Sequence, residues 1–290
     1  MAVPRTLAEA LAVLAARPEA LVVAGGSDVV PALRAGRREQ PAAWLLLHEL
    51  GSLAGIAPQP GGGLRIGAAT TVAALERDPR VRPGATALAD AAALIGAPAT
   101  RTVATVGGNL VNGSPAMDLG APLLALGATV ELAAAGGTRR LPLEQFLLGP
   151  GRVDLRAGEL LVAIELPPAA APGDAAPRAG SAYVRIGGRA AMEVALAGAA
   201  AEVVLAPGGA TIAAARVALC AVASTCLRAP AAEALLIGAA PEPAVLDAAA
   251  RAAVGHTAAI DDHRAPAAYR EAVVEVALRR ALDTAVERAR

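Results

Sequence analysis

The groups in this sequence best suited to binding a polar ligand lie in one central stretch, TVGGNLVNGSPAMDLGAPLLAL. Gly107 and Gly108 are adjacent, and a glycine pair lets backbone N–H groups approach an anion because no Cβ stands in the way. Asn109 adds a side-chain amide, Ser114 a hydroxyl, and Asp118 a carboxylate that could accept hydrogen bonds from sugar hydroxyls. The stretch therefore predicts a loop that binds a large, polar, phosphorylated ligand and neutralises its charge with backbone amides.

A second segment near the N-terminus repeats this arrangement. Its sequence, VVAGGSD, is a short apolar run that leads into Gly25 and Gly26 and then into Ser27 and Asp28. Two strand–glycine–polar segments far apart in the sequence favour one extended ligand held from two sides. The alternative for this segment is an ordinary strand-to-helix turn in which Ser27 or Asp28 caps the following helix.

Strand and helix patterns surround both segments and would position them. Apolar runs predict strands at residues 21–24, 43–47, 64–66, 129–132, 139–142 and 160–166. Apolar residues at helical spacing predict helices at residues 6–16, 29–34, 71–77, 85–95 and 119–126. The turn between the strands at 129–132 and 139–142 contains Gly136 and Gly137, which is the spacing of a β-hairpin.

A stretch rich in proline, alanine and glycine, residues 167–179, has little apolar surface to bury and predicts the main domain boundary. After it, strands are predicted at residues 181–186, 194–204 and 216–222, although alanine leaves the middle one ambiguous with a helix. Helices are predicted at residues 231–236, 244–254 and 269–289, the last with an arginine-rich exposed face. Strands followed by helices predict an α+β C-terminal domain.

Composition excludes several kinds of site. The chain has no lysine, which both a P-loop and a Schiff-base mechanism require. No G-x-G-x-x-G follows a predicted strand, so a Rossmann-type nucleotide site has no support. Cys220 and Cys226 are the only cysteines, too few for an iron–sulfur cluster or a four-ligand zinc site. Their apolar surroundings predict two buried, reduced thiols.

Charge and hydropathy bear on partners and location. The formal net charge is zero, which gives no reason to expect nucleic acid or an anionic membrane surface as a partner. No uninterrupted apolar stretch reaches the ~18 residues that a membrane span needs, and no secretory signal is evident. We therefore expect a soluble, cytoplasmic protein. Asp261, Asp262 and His263 match no metal-site spacing, so no metal site is predicted.

Six blocks, in order along nearly the whole chain, resemble the FAD subunit of molybdenum hydroxylases, the xanthine, aldehyde and carbon monoxide dehydrogenase type of enzyme. The blocks lie at residues 24–36, 62–81, 105–126, 143–167, 181–195 and 261–282. The resemblance implies an α+β fold with an FAD-binding domain of the vanillyl-alcohol-oxidase (PCMH) type over residues 1–175, in subdomains of about 1–57 and 58–175. A smaller domain resembling the carbon monoxide dehydrogenase flavoprotein C-terminal domain would follow over residues 178–285.

The resemblance also implies which residues bind FAD. They are Val22, Val23, Ala24, Gly25, Gly26, Ser27, Asp28, Val29, Thr105, Val106, Gly107, Gly108, Asn109, Ser114, Asp118, Leu161, Tyr183 and Arg185. Asp118 would bond the ribityl hydroxyls or cap the helix at 119–126, and Leu161 and Tyr183 would lie beside the flavin ring. Arg185 stands where the family usually has lysine, and Gly188 where it has the first arginine of a pair.

The function implied by the resemblance is electron transfer, with no catalytic residue and no metal on this chain. A molybdopterin-containing large subunit would oxidise the substrate, a [2Fe–2S] small subunit would pass electrons to the flavin, and NAD⁺, a quinone or another acceptor would take them. A stand-alone FAD oxidoreductase is one alternative. A non-catalytic module that binds FAD or another dinucleotide is a second alternative, from a different class of protein.

Overall fold

The computed structural model describes residues 1–82, 84–168, 178–189 and 192–290, so the predicted boundary at 167–179 lies mostly outside the described residues. The helices in these ranges are α1 (Leu7–Ala16), α2 (Val29–Arg34), α3 (Val72–Arg77), α4 (Thr86–Leu94), α5 (Pro98–Arg101), α6 (Val106–Val111), α7 (Gly120–Ala125), α8 (Leu143–Phe146), α9 (Pro230–Leu236), α10 (Pro243–Val254) and α11 (Ala267–Ala289). The strands are β1 (Leu21–Val23), β2 (Trp44–Leu46), β3 (Ile56–Pro58), β4 (Leu64–Gly67), β5 (Thr129–Ala134), β6 (Gly137–Pro142), β7 (Leu147–Gly149), β8 (Arg152–Val153), β9 (Leu160–Leu166), β10 (Arg178–Ile186), β11 (Ala197–Leu205), β12 (Ile212–Cys220) and β13 (Leu227–Arg228).

The N-terminal layer delivers the first glycine segment. The hydroxyl of Thr6 accepts a hydrogen bond from the backbone N–H of Glu9 and caps α1. Leu14 of α1 is buried in one apolar cluster with Leu45 of β2. Strands β1 and β2 pair in parallel, and the glycine segment leaves the carboxyl end of β1. The predicted strands and helices of this layer are confirmed.

A five-stranded antiparallel sheet, in the order β3-β4-β9-β5-β6, forms the middle of the molecule. The hairpin of β5 and β6 and the strand β9 have the predicted positions. Strand β3 was not predicted, because residues 58–63 form a Pro/Gly cluster that hides a strand ending at Pro58. The expected subdomain limit near residue 57 therefore falls within a strand of this sheet.

The C-terminal sheet, in the order β10-β11-β12-β13, is antiparallel and separates two apolar clusters. Ala199 and Ala201 of β11 face the cluster that contains α11, whereas Ala200 faces the cluster that contains α4 and α7. This period-2 alternation resolves the ambiguity of the alanine-rich run in favour of a strand. The α+β class is confirmed. One detail of α11 differs from the prediction, since Arg270 is buried rather than exposed.

Glu233 of α9 binds the edge of this sheet, where β12 pairs with β13. Its side chain, 8% exposed, accepts a hydrogen bond from the backbone N–H of Val217 at 2.9 Å and one from Arg228 Nε at 3.0 Å. No local sequence pattern reveals these partners, because the pairing of β12 with β13 brings both of them to the carboxylate. The Glu233 carboxylate thus accepts, from Val217 N–H, a hydrogen bond that a paired strand would otherwise accept beside the short β12–β13 pairing.

We expect Glu233→Ala to lower the free energy of unfolding by about 2–4 kcal/mol, because it leaves a buried N–H and a guanidinium without their acceptor. Urea titration followed by circular dichroism measures this loss. Glu242→Ala is the matched control, since Glu242 is exposed at the start of α10 and its side chain makes no capping hydrogen bond. Equal losses in the two variants would contradict the role assigned to Glu233.

Candidate functional site

A cleft of about 680 Å³ has both predicted glycine segments in its wall. Its lining consists of Leu21, Val22, Val23, Ala24, Gly25, Gly26, Ser27, Asp28, Val29, Arg38, Val72, Ile95, Gly96, Thr100, Ala104, Thr105, Gly108, Asn109, Val111, Asn112 and Gly151. A smaller apolar pocket of about 90 Å³ adjoins the cleft and shares Val22, Ala24, Gly108 and Val111 with it. The tertiary fold therefore brings the two segments to a single cavity.

The residues predicted to bind the ligand fall into two groups. Residues 22–29 and Thr105, Gly108 and Asn109 line the cleft, and Gly107 and Leu161 line the apolar pocket. In the part of the chain that the structure describes, the walls of these two cavities do not include the following predicted residues: Val106, Ser114, Asp118, Tyr183 and Arg185.

Several residues of the cleft wall were not predicted as ligand-binding residues. They are Leu21, Arg38, Val72, Ile95, Gly96, Thr100, Ala104, Val111 and Gly151, whereas Asn112 belongs to the central stretch whose polar groups are predicted to bind. Ile95 and Gly96 follow α4, Thr100 lies in α5, and Gly151 lies in the turn between β7 and β8. No local motif marks such positions, because packing between distant elements places them at the wall.

Gly25 and Gly107 are required by packing against neighbouring backbone. A Cβ on Gly25 would lie 1.8 Å from the carbonyl oxygen of Val103, and a Cβ on Gly107 would lie 2.7 Å from the carbonyl oxygen of Ala68. Neither acceptor can rotate away, because both belong to the backbone. One glycine of each pair therefore allows close packing, and the contact of Gly25 with Val103 holds the first segment beside the second.

The second segment differs from its prediction as a loop that offers backbone amides. Residues 106–111 form α6, which is capped by the hydroxyl of Thr105. The N–H groups of the segment already donate to protein oxygens: Val106 to Thr70 O at 2.9 Å, Gly107 to Ala68 O at 2.8 Å, Gly108 to Thr105 Oγ1 at 3.1 Å and Asn109 to Thr105 O at 3.0 Å. Protein acceptors therefore occupy these amides, and their role in neutralising a diphosphate stays a prediction.

The first segment carries the free amides instead. Across the described residues, no protein acceptor takes a hydrogen bond from the N–H groups of Gly25, Gly26, Ser27 or Asp28. The alternative of an ordinary capped turn is not realised, because no side chain caps α2. Gly26 has φ +67°, a left-handed conformation that suits glycine and turns the chain within this run. Consecutive free amides in such a turn form an anion-binding concavity.

Asn109 supplies a polar group that the protein leaves unpaired. Asn109 lines the cleft, and its Oδ1 atom is buried and has no hydrogen-bond partner among the described residues. An orphaned buried polar atom is costly, and a ligand hydroxyl or N–H would satisfy it. Free amides on one segment and an unpaired amide oxygen on the other fit a ligand that combines phosphate groups with hydrogen-bond donors, as a flavin dinucleotide does.

Asp118 lies in a buried joint with two residues of β10. Its Oδ1 accepts a hydrogen bond from Tyr183 Oη at 2.8 Å, and its Oδ2 forms an ion pair with Arg185 at 3.1 Å. Burial raises the pKa of Asp118, and the Arg185 guanidinium opposes that rise. Asp118 does not cap α7, because no side chain bonds the first amides of that helix. Its contact with a ribityl chain stays a prediction.

The C-terminal sheet also holds the turn that precedes Asp118. The backbone N–H of Ala221 donates to Pro115 O at 2.8 Å, and Ala221 has φ +64°, which is unusual for alanine. The hydroxyl of Ser114 accepts from Ala116 N at 3.3 Å within the turn. Cys226 packs against the same turn, with its Sγ 3.6 Å from Pro115 O. The turn is therefore tied to the C-terminal domain rather than to the cleft.

The two cysteines lie in this joint. Both are buried and free, as the sequence predicts. Tyr183 Oη lies 3.4 Å from Cys220 Sγ. Burial, with contributions from Cys220 and Asp118, raises the pKa of Tyr183 well above its usual value, so that the phenol keeps its proton and donates a hydrogen bond to Asp118.

Comparison with protein families matches both parts of the chain. Residues 1–169 match the FAD-binding domain in molybdopterin dehydrogenase, and residues 182–285 match the carbon monoxide dehydrogenase flavoprotein C-terminal domain. The xanthine dehydrogenase FAD-binding subunit of Escherichia coli O157:H7 is 37% identical over 68% of this chain and 65% of its own length. The carbon monoxide dehydrogenase medium chain of Afipia carboxidovorans is 33% identical over 57% of each chain. The match thus spans slightly less than two thirds of the length of the first relative.

Solved structures resemble the whole chain. A chain of the carbon monoxide dehydrogenase from Hydrogenophaga pseudoflava superimposes with a TM-score of 0.91 at 33% identity, covering 99% of this chain and 97% of its own. Quinoline 2-oxidoreductase from Pseudomonas putida gives a TM-score of 0.89 at 28% identity. Among the described helices, none combines the length and apolar character needed to cross a membrane. The chain therefore belongs to the family of FAD-binding flavoproteins of molybdopterin dehydrogenases.

Proposed function

We propose that this chain is the FAD-carrying electron-transfer subunit of a multi-subunit molybdenum hydroxylase. The observation that carries the proposal is that one cleft has in its wall both residues 25–28, with four free backbone amides, and Asn109, whose Oδ1 is unpaired. When bound, FAD supplies reversible redox chemistry that can link one-electron and two-electron carriers. The free amides bind its phosphate groups, and Asn109 fixes the orientation of a hydroxyl or N–H group.

The apolar pocket beside the cleft limits access of water to whatever part of the ligand enters it. Its wall contains Leu53, Leu155, Leu160 and Leu161, together with small alanine and glycine residues. A low-dielectric wall of this kind favours a flat apolar ring over a charged group. We assign the pocket to the apolar end of the flavin ring, in agreement with the role that the family resemblance gives to Leu161.

We propose a [2Fe–2S] small subunit and a molybdopterin-containing large subunit as the partners of this chain. The similarity to medium chains of carbon monoxide dehydrogenase and to the xanthine dehydrogenase FAD subunit supports this assignment. Electrons from the iron–sulfur subunit would reach the flavin and leave to NAD⁺, a quinone or another acceptor. Over the described part of the cleft wall no aromatic residue is present, so stacking contributes little to affinity.

An absorption spectrum of the isolated chain, recorded after incubation with FAD and desalting, tests the proposal. We expect flavin bands that survive desalting and bleach on addition of dithionite. Because stacking is weak, a second sample is the complex co-expressed with the two partner subunits, in which retention should be stronger. Absence of flavin from both samples would overturn the proposal. Flavin that is retained but accepts no electrons from the iron–sulfur subunit would indicate a binding module without turnover.

A further inference from the structure

Arg38 is the one basic side chain in the described wall of the cleft. The charged residues of that wall are Asp28 and Arg38. Asp28 adds a negative charge close to the free amides, which by itself would disfavour a phosphate. A cation in the same wall offsets that charge and leaves the cleft able to hold an anionic ligand.

The chain places Arg38 at the wall through a specific turn. Helix α2 ends at Arg34, and Gly36 follows with φ +65°. The N–H of Arg37 donates to Ala32 O at 2.9 Å and that of Gly36 to Leu33 O at 3.1 Å, the two hydrogen bonds of a Schellman motif. This motif reverses the chain after α2 and directs the next residues back toward the first segment, from which α2 began.

Arg38 has no protein partner in the described structure. Among residues 1–82, 84–168, 178–189 and 192–290, no carboxylate forms an ion pair with it, and no hydrogen bond from its guanidinium is present. Other arginines of the same half, such as Arg65, Arg101 and Arg139, each pair with a carboxylate. An arginine that lines a cleft and keeps its donors free is available to a ligand anion.

We propose that Arg38 binds a phosphate group of the dinucleotide, as a cationic partner to the free amides of the first segment. This inference rests on the proposed function, because it requires FAD to occupy the cleft. Guanidinium binds phosphate by paired, charge-assisted hydrogen bonds, which an exposed position weakens but does not abolish. Arg38 thereby supplies positive charge to the cleft wall in a chain that has no lysine.

The test is a fluorescence-quenching titration of FAD into the chain, or into the co-expressed complex stripped of flavin, at low and high salt. We expect Arg38→Gln to raise the Kd for FAD about 5- to 20-fold at low salt, with a much smaller difference at high salt, because screening removes the ion pair. Arg38→Lys should retain part of the affinity. Arg37→Gln is the matched control, since Arg37 is adjacent, exposed and outside the cleft wall.

The possible outcomes separate this inference from the function on which it rests. Binding of FAD by the unaltered protein with unchanged Kd in Arg38→Gln would overturn the role of Arg38 and leave the proposed function intact. An effect of equal size in Arg37→Gln would also overturn it, because it would reflect general surface charge. Failure of the unaltered protein and of its complex to bind FAD would overturn both.

Discussion

Gly25→Ala should abolish retention of FAD on desalting. The added Cβ would lie 1.8 Å from the carbonyl oxygen of Val103, a contact that neither backbone can relieve without moving. Overpacking of this kind costs about 1–3 kcal/mol, and displacement of the first segment relieves it. Because that segment carries the free amides at residues 25–28, we expect the Kd for FAD to rise about 10- to 100-fold.

The measurement is the same fluorescence titration, with circular dichroism and a thermal melt to show that the variant folds. Gly51→Ala is the matched control, since a Cβ on Gly51 meets no atom within 4 Å. A Gly25→Ala protein that retains FAD as the unaltered protein does would show that the position of this segment does not determine affinity. If the variant fails to fold, Gly26→Ala tests the same segment through its left-handed φ of +67°.

Arg185→Leu should lower the stability of the whole protein substantially. The side chains of Arg185 and Asp118 are 3% and 10% exposed, so removal of the guanidinium leaves a buried carboxylate without its counter-charge. Loss of one member of a buried pair costs about 3–5 kcal/mol, which corresponds to a fall in Tm of roughly 10 °C. Asp118→Asn in the Arg185→Leu background should recover part of the loss, because the uncompensated charge is then gone.

The loss in Arg185→Leu should depend on pH. Burial already raises the pKa of Asp118, and removal of Arg185 takes away the cation that opposes the rise. A folded-state pKa above the unfolded value means that the native state binds the proton more tightly, so destabilisation is least at acid pH and grows as pH rises through the raised pKa. Thermal melts at pH 5 and pH 8 measure this, and equal losses at both would contradict it. Arg189→Leu, at an exposed pair, should change little.

The buried joint of Asp118 with Tyr183 and Arg185 depends on contacts that no local sequence pattern displays. The sequence marks Ser114 and Asp118 as members of one polar motif, but the partners of Asp118 come from the C-terminal sheet, whereas the Ser114 hydroxyl bonds Ala116 within its own turn. Tyr183 is 65 residues from Asp118 along the chain. Burial and pairing between such distant residues have no local signature, so sequence patterns do not display these protein partners, and the ligand contacts of the same residues stay predictions.

The sequence by itself determined most of the predicted helices and strands, the α+β class and the family, but it did not determine β3 or the helix α6. Capping by Thr6 and Thr71, the hairpin around Gly137 and the strand Leu160–Leu166 follow from interactions between near neighbours, which a sequence pattern displays directly. The alanine-rich run Ala197–Leu205 is identified as a strand only by the two apolar clusters on its opposite faces, because alanine suits a helix and a closely packed sheet equally well.

The tertiary structure alone decided which groups of the two glycine segments face a ligand. The amides of residues 106–109 donate to protein oxygens, and close packing leaves no room for a Cβ on Gly25 or Gly107. The amides of residues 25–28 and the Oδ1 of Asn109 have no protein partner among the described residues. It also brought Arg38 to the cleft. The physical reason is that each backbone N–H can donate one hydrogen bond, and the packing of the sheets and helices determines whether a distant protein oxygen accepts it.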